Sequence, residues 1–94
     1  MKFPATFTPE DGKIVVRFRD IPEAITQGDN EADAMEMAED VLISSMDFYF
    51  EDLRQVPLPS PPVLGERLVS LPQGLQQQVL EHNKMLATKI DTAI

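Results

Sequence analysis

Apolar and polar residues alternate from the start of the chain: Phe3, Ala5 and Phe7 are interleaved with Lys2, Thr6 and Thr8. A period of two is that of a half-buried strand, and Pro4, with no N–H to give to a ladder, is tolerable only near a strand start or at an edge, of which an edge strand is the expectation. Pro9-Glu10-Asp11-Gly12 joins a proline of preset φ to acidic turn formers and a glycine free to take positive φ, which predicts a tight turn. Ile14, Val16 and Phe18 then alternate with Val15, Arg17 and Arg19, giving a second strand antiparallel to the first. Asp20-Ile21-Pro22-Glu23 predicts another turn, and Ala24 to Gln27 a short third strand ended by Gly28.

At Asn30 the spacing of apolar residues changes. Asn30 is suited to cap a helix, and Glu31 and Asp33 set negative charge over the positive end of the macrodipole. Ala34, Met35, Ala38, Val41, Leu42, Met46, Tyr49, Phe50 and Leu53 share one helical face, which predicts a helix from Glu31 to Leu53 laid over the sheet. The opposite face carries Asp33, Glu36, Asp40, Asp47 and Glu51, with Ser44 in the same row. They form an acidic stripe several turns long.

Pro57-Leu58-Pro59-Ser60-Pro61-Pro62 imposes an extended, semi-rigid polyproline conformation, and its PxxP pattern also fits a ligand of aromatic grooves. The chain divides there into a β-β-β-α module (1–56), a proline-rich linker (57–66), a returning fourth strand of the same module (67–72) and a helical tail (73–94). In the tail Leu75, Val79, His82 and Leu86 share a face, with Leu80 and Met85 beside it. The spacing predicts a helix to about Leu86 and weaker helical character beyond. The expected fold is therefore α+β, a three- or four-stranded, mostly antiparallel sheet packed on one long helix.

Ninety-four residues with 43% apolar and 6% aromatic content suffice for one small core, so stability is modest. The net charge is −8, with 13 acidic and 5 basic residues up to Val56 and 3 of each after it, so the acidity belongs to the N-terminal module. That balance argues against non-specific attraction to a phosphate backbone and favours a basic partner. The absence of cysteine removes disulfides and thiolate metal ligands, and fits a reducing compartment. The first residues lack an apolar signal core, and no run approaches the roughly 18 apolar residues that span a bilayer. A cytoplasmic protein without membrane contact is expected.

Asp20-Ile21-Pro22-Glu23-Ala24-Ile25-Thr26-Gln27-Gly28-Asp29, followed by the alanine- and glutamate-rich helix, resembles the hallmark of the HicB antitoxin family. Asp47-Phe48-Tyr49-Phe50-Glu51-Asp52 and the Pro-Leu-Pro-Ser-Pro run strengthen the resemblance, which covers roughly residues 1–86. It implies a partial RNase H-like module that grips HicA, a small basic toxin that cleaves messenger RNA, and a C-terminal module that binds operator DNA and represses the operon. It also implies assembly into dimers or tetramers, for which the first strand's edge and the tail helix offer surfaces. The likeness breaks near the end: Val79 to Leu86 resembles the opening of the family's helix-turn-helix region, whereas Ala87 to Thr92 resembles a block that lies well downstream in the family. Either a segment is deleted, naturally or by engineering, or one has been omitted. The recognition helix that an operator requires is missing between the two blocks, which makes operator binding and autorepression by this form doubtful.

Glu36, Asp40, Asp47 and Glu51, with Phe48 as an apolar anchor, are the candidate toxin-binding residues. An acidic helix face is often only solvated surface, and Phe48 fits a peripheral core position equally well; the resemblance favours a docking surface. An alternative is a metal-dependent RNase H-like nuclease in which Asp20, Asp29 and Asp40 hold two metal ions, although their spacing does not assure convergence. Another is an orphan regulatory module of the same fold. His82 is the single histidine, which leaves no zinc site or nucleophilic triad to build. Gly28 before a helix, without further glycines or a lysine, is a weak phosphate signal. No catalytic residue, cofactor or metal is expected.

Overall fold

The computed structural model describes the backbone of residues 1–92. Six elements follow one another: β1 (Lys2–Glu10), β2 (Lys13–Phe18), β3 (Ile25–Gly28), α1 (Glu31–Glu51), β4 (Glu66–Ser70) and α2 (Gln73–Thr92). The strands form one antiparallel sheet in the order β3-β2-β1-β4. The α+β class and the β-β-β-α-β order expected from the hydrophobic pattern are both present.

The first hairpin turns on Asp11 and Gly12 alone, whose φ values of 50° and 79° are both positive. Positive φ at both central residues is the geometry that matches the twist of paired strands. Pro9 and Glu10 therefore belong to β1, opposite Ile14 and Lys13, rather than to the turn.

β1 is an interior strand, not the edge that Pro4 suggested, because β4 returns along its free side with Phe3 opposite Val69 and Ala5 opposite Arg67. Both prolines sit where no ladder bond is at stake. The Arg19 N–H donates to the Pro4 carbonyl at 3.4 Å, so Pro4 faces the β2 side just beyond Phe18, where β2 has ended. Pro9, at the opposite alternation, faces the β4 side beyond Thr6, where the pairing with β4 stops. The sheet edges are β3 and β4, so the first strand offers no edge for self-association.

α1 covers one face of the sheet. Phe3, Ala5, Val16 and Phe18 from the strands meet Ala34, Ala38, Leu42, Met46 and Tyr49 from the helix, and Ile21, Ala24, Val69 and Val79 close the core. Two positions differ from the helical-face expectation. Ser45 is buried, its hydroxyl satisfied by the Val41 carbonyl at 2.7 Å. Leu53 is exposed: the helix ends at Glu51, and Leu53 adopts φ 54° in a left-handed stop. There the Arg54 N–H reaches the Tyr49 carbonyl at 2.9 Å and the Leu53 N–H reaches the Phe50 carbonyl at 3.3 Å, a Schellman pattern without its usual glycine.

α2 extends past Leu86 to Thr92, further than the spacing predicted; residues 93 and 94 of the tail lie outside the described residues. Val79 and His82 dock it against the end of α1. The His82 ring lies edge-on to Phe50 at 4.9 Å, with Nε2 2.8 Å from the Arg54 carbonyl. Asn83 bonds both sides of one peptide position, accepting from the Val56 N–H at 2.8 Å and donating to the Val56 carbonyl at 2.9 Å. The proline run that begins after Val56 is also tied down. Asp20 accepts from the Ser60 N–H at 2.8 Å and from its hydroxyl at 2.7 Å, and Arg19 donates to the Pro61 carbonyl at 2.7 Å.

Candidate partner-binding surface

The acidic stripe is placed by the junction between β3 and α1. Asn30 caps the helix, its side-chain oxygen accepting from the Asp33 N–H at 2.9 Å, while the Asp33 carboxylate accepts from the Asp29 N–H at 2.8 Å. Asp33, first of the stripe by spacing, is thus used by the cap. Gly28 allows the first turn to approach the strand: a Cβ there would lie 2.3 Å from the Ala34 nitrogen and 2.5 Å from its Cα. With that end fixed, the register of α1 puts Glu36, Asp40, Ser44, Asp47 and Glu51 in solvent, away from the sheet.

The expected site residues therefore stand together on one exposed face, and Phe48 is 56% exposed, so it is not a core residue. Sequence spacing did not single out Met37, Ile43 and Glu39, which are exposed beside them. At about 100° per residue, Met37 and Phe48 fall within roughly 20° of each other and border one side of the stripe, with Ile43 towards the other. Their signal was present in the chain as apolar residues that miss the core spacing.

The electrostatics of this face are unbalanced. Five cations of the sheet and loops are engaged elsewhere: Lys13 with Asp29, Arg17 with Glu10, Arg19 with Glu66, Arg54 with Glu23 and Asp52, and Arg67 with Glu31. Among the described residues no ion pair reaches Glu36, Asp40, Asp47 or Glu51. α1 itself contains no lysine, arginine or histidine. Glu36 with Asp40, and Asp47 with Glu51, are like-charge pairs one turn apart, each destabilising by about 0.2–0.5 kcal/mol. Acidic groups in the last turn also oppose the macrodipole, at roughly 0.3–1 kcal/mol each. The stripe costs the free protein stability.

At the end of α1, a second cluster locks the helix to the β2–β3 turn. The Tyr49 hydroxyl donates to Glu23 at 2.6 Å, and Arg54 donates to the other Glu23 oxygen at 3.2 Å while stacking over the Tyr49 ring at 4.4 Å. Burial and the adjacent Glu23 carboxylate push the Tyr49 hydroxyl up to about 12. The Tyr49 hydroxyl, the backbone N–H of Glu23 and Arg54 hold the Glu23 carboxyl below its ordinary value. Both shifts belong to a structural joint.

The nuclease carboxylates are not brought together. Asp20 is occupied by Ser60, Asp29 pairs with Lys13, and Asp40 stands on the outer face of α1. Among the described residues no group of three or more His, Cys, Asp or Glu side chains is disposed to hold a metal ion, and no helix is long and apolar enough to cross a membrane.

The antiparallel sheet is covered by a helix whose outer face is acidic, bordered by exposed apolar residues and, among the described residues, reached by no ion pair. Residues 2–80 match the family model described as the HicB-like antitoxin of bacterial toxin-antitoxin systems, and the chain belongs to that family. It is 45% identical over 91 residues to Antitoxin HicB 1 of Photorhabdus laumondii, covering 96% of this chain and 57% of that protein. Antitoxin HicB of Escherichia coli K12 is 44% identical over 91 residues, covering 96% of this chain and 66% of that protein. Antitoxin HicB 2 of Photorhabdus laumondii is 42% identical over 93 residues, covering 99% of this chain and 66% of that protein. The chain thus spans 57% to 66% of the length of these relatives.

Proposed function

We propose that this chain is the toxin-binding part of an antitoxin, and that it neutralises a small basic HicA-like ribonuclease by covering it. The observation that carries the reading is the run of Glu36, Asp40, Asp47 and Glu51, exposed and, among the described residues, without an ion-paired cation on a helix that would be more stable with some. A local choice that costs stability and has no structural compensation is expected at a functional site. Complementary charge speeds encounter and orients the partner, and Phe48 and Met37 at the border of the stripe provide apolar contact that charge alone does not. No residue of this chain performs chemistry in that mechanism. Its work is to occupy surface that the toxin needs for RNA.

The same reading places the protein in the bacterial cytoplasm, where its target would act. Of the two surfaces considered for dimers or tetramers, β1 is covered on both sides, which leaves the exposed Leu80 and Met85 of α2, beside a shallow groove of about 540 Å³ lined by Glu81, Lys84, Met85 and Thr88. Operator binding is not part of the proposal.

Isothermal titration against a small basic HicA-type ribonuclease tests the reading. Submicromolar binding is expected, weakened at least about tenfold by Glu36→Lys/Asp40→Lys or Asp47→Lys/Glu51→Lys and by added salt. Tight binding indifferent to both reversals would remove α1 from the interface. No binding by the folded wild-type chain would overturn the antitoxin reading.

A further inference from the structure

The segment between α1 and β4 combines two properties seldom found together. It is fixed at several points: Val56 by Asn83, Ser60 by Asp20, Pro61 by Arg19, and Val63 through its N–H to Glu66, which Arg19 holds with two bonds at 2.9 and 3.0 Å. Yet beyond Val56, which is buried in the core, its large aliphatic side chains are exposed. Leu58 is 54% exposed, Val63 58%, and Leu64, at the tip of the turn closed by the Glu66 N–H to the Val63 carbonyl, is completely exposed. A strap that served only to span α1 and β4 would need neither the bonds nor the leucines.

We propose that this strap is a preformed apolar contact element for the same basic partner that the acidic stripe attracts, an inference that rests on the antitoxin reading. The run from Val56 to Gly65 contains no charged residue, and the two carboxylates beneath it, Asp20 and Glu66, are satisfied by Ser60 and Arg19. It is continuous with the stripe, whose last residue, Glu51, leads through exposed Leu53 into the proline run. Polyproline backbone that is already extended and bonded in place loses little freedom on docking, so more of the apolar contact appears as affinity. The occupant follows from charge. A second copy of this chain would bring another net −8 against the first, whereas a basic protein meets opposite charge around an uncharged apolar centre. The stripe then governs the rate of arrival and the strap the time of residence.

Association and dissociation rates, measured by surface plasmon resonance with a small basic HicA-type ribonuclease immobilised, separate the two contributions. Leu58→Ser/Leu64→Ser is expected to speed dissociation at least about tenfold with little change in association, while Glu36→Lys/Asp40→Lys mainly slows association. Both leucines are exposed, so the melting temperature of the double variant stays at the wild-type value. Asp20→Ala, which removes both bonds to Ser60 and keeps the leucines, is expected to weaken binding by loosening the strap. Wild-type binding with unchanged dissociation of the leucine variant overturns this inference alone; absence of wild-type binding overturns it together with the antitoxin reading. Loss of a wild-type homodimer in the leucine variant, seen by sedimentation, would reassign the strap to self-association and also overturn the proposal.

Discussion

Substituting Gly28 by alanine adds one methyl group, and the geometry of the strand-to-helix junction sets its cost. The new Cβ would lie 2.3 Å from the Ala34 nitrogen and 2.5 Å from its Cα, backbone atoms that cannot rotate aside. Relief requires α1 to move off β3 by more than an ångström, since ordinary contacts lie near 3.5–4.0 Å. Overpacking of this kind costs about 1–3 kcal/mol. Displacement of the first turn also strains the Asn30 to Asp33 and Asp33 to Asp29 bonds, and a lost cap costs about 0.5–2 kcal/mol. Against this, reduced freedom of the unfolded chain returns about 0.4–1 kcal/mol. The net expectation is a loss centred on about 2.5 kcal/mol, or about 10–20 °C in melting temperature for a domain of this size. Gly74, at the start of α2, is the internal control, because an added methyl there would meet nothing within 4 Å. The same substitution at that position should be neutral or stabilise by up to about 1 kcal/mol. Circular dichroism melts and urea titrations of both variants give the answer. A Gly28→Ala protein melting within a few degrees of wild type would show that the close approach of α1 to β3 is not what fixes the helix.

Other outcomes follow from single contacts. Asn83→Ala removes both bonds to Val56 and leaves its buried backbone unsatisfied, so α2 should detach at a cost of about 1–3 kcal/mol, read as faster amide exchange in 75–86 than in the sheet. Tyr49 is the only tyrosine, so its ultraviolet titration is direct: the midpoint should fall at about 12, and a midpoint near 10 would contradict the buried contact with Glu23. Because its folded value is raised, the associated stability is present below about pH 10 and lost as the pH climbs towards 12. Glu23 behaves oppositely. Its depressed value contributes stability above the ordinary carboxylate value of 4.5 that disappears as the pH falls through its folded value, and Glu23→Gln should flatten that acid limb.

The strand and helix content was legible because each element has a clean period and a chemical boundary: Gly12 in the hairpin, Asn30 at the cap, Pro72 before α2. The errors arose where boundary chemistry was absent or supplied from elsewhere. Leu53 occupies a left-handed helix stop that usually shows glycine, so spacing carried the helix two residues too far and made Leu53 core. Pro4 looked like an edge marker because the sequence does not reveal that its nitrogen faces the end of β2 rather than β4. The acidic row was readable from spacing alone. That no ion pair among the described residues reaches its carboxylates was not, since it depends on Lys13, Arg17, Arg19, Arg54 and Arg67 being committed to carboxylates mostly distant in the chain.

The most direct test of the account is an RNA cleavage assay with a small basic HicA-type ribonuclease, titrated with wild type and with a variant carrying lysine at positions 36, 40, 47 and 51. Wild type should abolish cleavage at a fixed stoichiometric ratio, while the charge-reversed protein, folded by circular dichroism, should require at least about a hundredfold more. Cleavage that continues under excess wild-type chain, or inhibition that survives the reversal unchanged, would contradict the claim that the acidic face of α1 neutralises a basic ribonuclease.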